Sequence, residues 1–92
     1  MIQGKKRDPD TMRAYEAVMA SELAEVDKVK EAFKLVTDFF LLHSEHEIEV
    51  LRAMSDRENL VKEQIKASTI RSMQGILADA YRQATGRKAW DE

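Results

Sequence analysis

Apolar side chains recur every three or four residues along most of this chain. At about 100° per residue, Met12, Tyr15, Val18, Met19, Leu23, Val26, Val29, Phe33, Val36, Phe40 and Leu41 fall within roughly 140°. That arc predicts a long amphipathic helix over about residues 9–43. Asp8 and Pro9 suit its start, a capping carboxylate followed by a proline where no amide donor is needed. Leu35, Phe39 and Leu42 lie off the arc, so the end of this helix is apolar nearly all round and needs cover on more than one side.

Two further helix starts follow closely. Ser44 with Glu47, and Ser55 with Glu58, have the spacing of a capping box. They predict a short helix at about 45–54 and a long one at about 56–85. In the latter, Ile65, Thr69, Ile70, Met73, Ile76, Leu77, Ala80, Tyr81 and Ala84 form an apolar arc of roughly 160°. Gly86 stands where a left-handed C-terminal cap belongs, with Arg82, Arg87 and Lys88 near the negative end of the helix dipole. No strand, hairpin or internal repeat is signalled. The expected fold is all-α: a long–short–long helical hairpin forming one domain over 1–92, with 1–7 and 87–92 as flexible tails.

Composition narrows the class. Charged residues make up 35% of the chain, with three glycines and one proline, which suits a helical protein rather than disorder or a β-sandwich. Chains of this size bury only about 60–65% of their extended surface, so a homodimeric bundle is expected. Cysteine is absent, which excludes disulfides and thiolate zinc sites. The most apolar stretch, Phe39–Leu42, is far short of the ~20 residues of a membrane span, and no apolar run follows the basic start. A soluble, cytoplasmic protein without a membrane partner is therefore expected.

Net charge is −2, with no overall pull on nucleic acid, but its distribution is uneven. Residues Asp8–His43 carry a net −4 and Asn59–Lys88 a net +4, which favours packing of the two segments within or between chains. No Arg/Lys cluster with interleaved aromatics appears, and "SDRENLVKEQIK" makes a poor recognition helix, so nucleic acid is not an expected partner.

Several residues stand out as candidate chemistry. His43, His46 and Glu47 have spacings that would share a helix face, a possible metal half-site. Ser44 as a cap would instead put His43 at a helix end, where the dipole favours its protonated form. No metal and no cofactor are expected. Glu22 and Lys66 interrupt the two apolar arcs; a buried charge is costly alone, so they are expected to pair, within the chain or across a dimer, to line a polar pocket between helices, or to lead out to water. Ser68, Ser72, Gly75 and Asp79 make a small-residue stripe where a second helix has room to dock. Phe33, Phe39, Phe40 and Trp90 are candidate partner contacts, tryptophan being enriched at interface hot spots. No nucleophilic triad and no Gly-rich phosphate loop is present.

The long–short–long plan, with Asp56, Arg57 and Glu58 in "SDREN", resembles the all-helical chorismate mutases. That resemblance implies an intertwined dimer holding a dicarboxylate substrate in a basic pocket. Arg13, Lys34, Arg57 and Glu58 would be its site residues here, with Gln83 loosely matching a glutamine late in the third helix. A lysine ahead of the short helix is missing, and Arg13 is the only arginine on the first helix. Without an assembled site, and with apolar surface in excess, the reading favoured is a noncatalytic helical protein-binding module: a regulator, adaptor or chaperone acting through helix–helix contacts.

Overall fold

The computed structural model describes residues 9–90. The Asp8 cap, the basic arm before it and the last two residues lie outside the described residues. The chain forms three helices, α1 (Pro9–Met19), α2 (Glu25–Ala53) and α3 (Arg57–Thr85), with no strand among the described residues.

The class is all-α, but the helix boundaries differ from those the apolar pattern predicts. The expected helix over 9–43 is broken at residues 20–24, although no glycine or proline lies there. Ser21 explains the stop: its hydroxyl donates to the Val18 carbonyl at 2.7 Å and accepts from the Leu23 amide at 3.3 Å. Such local bonds compete with the helical ladder. The expected short helix at 45–54 is not separate; it is the last part of α2. Ser44 is therefore no cap but a mid-helix residue, 3% exposed, and His43 lies within α2 rather than at an end.

The real corner is at Met54–Asp56. Met54 is still right-handed, Ser55 turns to a left-handed φ of 58°, and Asp56 caps α3 by accepting from the Asn59 amide. Asp56, not the Ser55–Glu58 box, thus starts the helix. At the far end Gly86 takes φ 77°, and its amide donates to the Arg82 carbonyl at 2.7 Å. A residue with a Cβ would be strained there.

α2 is the central element. Both α1 and α3 pack on it, and α1 does not touch α3. α2 and α3 run antiparallel along the 46 Å long axis. Their seam follows a seven-residue repeat: Lys30, Thr37, Ser44 and Leu51 on α2, and Leu60, Ala67, Gln74 and Tyr81 on α3. Gln74 Nε2 donates to Thr37 Oγ1 at 2.7 Å, and the Lys30 ammonium lies 4.8 Å from the centre of the Tyr81 ring. Continuing that register places Ser44 against Ala67 and Leu51 against Leu60. The best-buried seam residues are thus small or polar, while Leu41, Ile48, Ile70 and Leu77 beside them are only half-buried.

The start of the expected C-terminal tail lies against α2. Ala89 is 6% exposed and its carbonyl accepts a 2.6 Å bond from Lys30 Nζ; the Lys34 ammonium stands 5.7 Å from the Trp90 ring centre.

Candidate interaction surfaces

On α3 the residues opposite the seam form one stripe. Val61, Ile65, Ser68, Ser72 and Ile76 follow one another at helical spacing, and all are exposed. The aliphatic members are well open to solvent: Val61 at 53%, Ile65 at 61% and Ile76 at 69%. A Cβ built on Gly75 would meet nothing within 4 Å, so among the described residues no second helix closes on Gly75. By rotation about the axis, exposed Lys62 and Lys66 flank the stripe on one side, and exposed Arg71 and Arg82 on the other. Ile65, Met73 and Ile76, read from the sequence as part of a core-facing arc, point largely to solvent.

A second apolar surface surrounds the α1–α2 break. Tyr15, Met19, Leu23, Val26 and Val29 are exposed. The nearby carboxylates Glu16, Glu22 and Glu25 are exposed too, with no ion pair among the described residues. The rim here is acidic, whereas that on α3 is mainly basic, although Asp79 shares the outer face and Lys62, Lys66 and Arg71 each have an acidic neighbour in the same chain.

The aromatic cluster is only partly covered. Phe33 and Phe39 are half-buried and Phe40 is exposed. Phe39 meets Phe40 at 6.0 Å and the His43 ring edge-on at 5.7 Å between centres. His43 and His46 are exposed, and among the described residues no group of three or more His, Cys, Asp or Glu is placed to hold a metal ion.

Glu22 and Lys66 do not pair within the chain: Glu22 sits in the exposed break, and Lys66 lies 3.3 Å from Glu63. The residues implied by the chorismate-mutase resemblance do not converge either. Arg13 pairs with Asp10, Lys34 with Asp38 at 2.7 Å, and Glu58 with Lys62 at 4.0 Å, while Arg57 is exposed at the α3 start. Lys34 stands about 29 Å of helix from the end of α2 that adjoins Arg57, at 1.5 Å per residue. One chain therefore forms no shared basic pocket from them.

Polar links across the seam fix the hairpin that carries these surfaces. Ser44 Oγ donates to Glu63 Oε2 at 2.7 Å, and Arg71 reaches Glu45 at 3.1 Å. Tyr81, 5% exposed, donates its hydroxyl to Asp27. Two cations stand over its ring, Lys30 at 4.8 Å and Arg87 at 5.5 Å from the centre. Partial burial pushes the Asp38 carboxyl up, but hydrogen bonds from Lys34 and Gln74 outweigh it and hold the group below its ordinary value. Asp56 is also held low, by the side chain and then the backbone amide of Asn59.

Sequence reasoning singled out Ser68, Ser72 and Gly75 but separated them from Val61, Ile65 and Ile76, with which they share the outer face. The signal was the continuous three-and-four spacing from Val61 to Ile76. Among the described residues, no helix is long and apolar enough to cross a membrane. Comparison with protein-family models, with curated proteins and with solved structures gives no match.

Proposed function

We propose that this chain is a noncatalytic helical protein-binding module, a regulator, adaptor or chaperone-like protein of the cytoplasm, that acts through helix–helix contacts and assembles as a homodimer. The observation that carries this reading is the distribution of apolar surface. Among the described residues no large side chain is fully buried, whereas large aliphatic, aromatic and methionine side chains lie exposed on all three helices. Monomeric soluble proteins rarely leave contiguous apolar patches open, and such patches mark contact surfaces. The layered arrangement supports it as well: because α1 and α3 pack only on α2, the outer side of α3 has no helix partner among the described residues. Phe40 and Trp90 are further contact residues on this reading.

The test is the solution mass by light scattering from low micromolar to several hundred micromolar protein. A concentration-dependent approach to twice the chain mass is the expected result. A constant monomer mass, with no change in amide exchange across Val61–Ile76 on concentration, would remove the homodimer.

A further inference from the structure

Resting on the homodimer reading, we infer that the two surfaces of opposite rim charge are partners: the acidic knuckle at the α1–α2 break of each copy docks on the basic-rimmed outer stripe of α3 of the other, the contact being made twice about a two-fold axis.

The stripe itself argues against pairing with its own twin. An antiparallel α3–α3 contact brings each flank of the stripe onto the same flank of the second copy. Lys62 and Lys66 would face their own flank, whose acids Glu58 and Glu63 these lysines already engage at 4.0 and 3.3 Å, and Arg82 would face Arg71, which Glu45 already holds at 3.1 Å. Like charges across an interface are disfavoured, and desolvation raises the cost. An apolar surface edged with carboxylates is what this stripe complements.

The break supplies one. Leu23 and Val26 are exposed at 44% and 43%, and Glu22 and Glu25 beside them have no cationic partner among the described residues. A short knuckle also suits the face it meets, since Ser68, Ser72 and open Gly75 leave the middle of the stripe shallow between Ile65 and Ile76. Glu22 then has a function in register. It meets Lys66 of the second copy, joining two charges that each interrupt an apolar arc and that one chain leaves apart.

The experiment is sedimentation velocity on the full chain at low and high salt, with circular dichroism to confirm the helical fold of each variant. Glu22→Lys and Lys66→Glu should each weaken self-association at least tenfold, and the double variant should recover most of it. Arg82→Glu serves as a second probe, because Arg82 holds no partner among the described residues and its reversal leaves the Glu63 cluster intact. It too should weaken association at least tenfold, and raised salt should weaken the wild type. A wild-type dimer indifferent to all three reversals would overturn the docking mode while leaving the homodimer standing. A wild type that stays monomeric removes both.

Discussion

Ser44 on α2 donates a 2.7 Å hydrogen bond to the carboxylate of Glu63 on α3, and Ser44 is almost wholly buried. The helical hairpin is thus joined in the part nearer its corner by a hydroxyl and a charge rather than by a leucine pair. Glu63 also has Lys66 at 3.3 Å, so its charge is shared between the seam and the surface. Ser44→Ala should lower stability by about 1.5–3 kcal/mol, the range for hydrogen bonds to charged groups. Urea denaturation of Ser44→Ala, Glu63→Gln and the double variant would check it. The double should cost clearly less than the singles added, since the second change removes a partner already lost.

A second polar link gives a pH dependence. Gln74 donates to both Thr37 and Asp38, and Lys34 donates to the same Asp38 carboxylate. With its folded pKa below the unfolded value of 3.8, Asp38 contributes stability above that value and loses it as pH falls through the folded pKa. Wild type should therefore exceed Asp38→Asn in stability by a constant margin above about pH 5, and the margin should shrink below about pH 4. Thermal melts of both proteins from pH 7 to pH 2.5 measure this. A margin unchanged throughout would mean that the carboxylate's charge is not what the link uses.

These links also explain which parts of the fold could be read from the sequence. Helical class, the α3 span and the Gly86 cap follow from periodicity and cap chemistry. The α2–α3 seam does not, because its seven-residue repeat consists largely of Lys30, Thr37, Ser44, Ala67 and Gln74. A search for apolar arcs passes over such positions and assigns Ile65 and Ile76 to a core they do not enter. The misplaced corner has the same origin. A serine followed three residues later by glutamate fits a cap, but Ser44 has a carboxylate waiting on the opposite helix. Ser21, without that spacing, ends α1 through its own backbone neighbours.

The two described glycines should respond oppositely to the same substitution. Gly75 is helical with open space around it, so Gly75→Ala should stabilise the chain by about 1 kcal/mol through helix propensity. Gly86 also has open space but a left-handed backbone, so Gly86→Ala should destabilise by about 1 kcal/mol from conformation alone. Denaturation at a concentration where the protein is monomeric separates these effects from association. Loss of stability in Gly75→Ala would show that the added methyl meets something the open helix face does not contain.

The sole tryptophan reports on the end of the hairpin. Lys30 ties the Ala89 carbonyl at 2.6 Å and lies over the Tyr81 ring, while Trp90 sits half-buried beside Lys34. Lys30→Met keeps most of the aliphatic stem but removes the donor, so the segment after Gly86 loses its anchor to α2. Trp90 emission should shift to longer wavelength and become more accessible to iodide, with α-helical circular dichroism little changed. Lys28→Met is the matched control, since Lys28 is on the same helix and forms no ion pair with a described residue. An equal shift in both variants would assign the effect to lost charge near the indole. A shift confined to Lys30→Met assigns it to the contacts of Lys30 itself, the bond to Ala89 together with the Tyr81 ring and the Glu31 ion pair, and makes Lys30 the residue that holds the C-terminal segment in place.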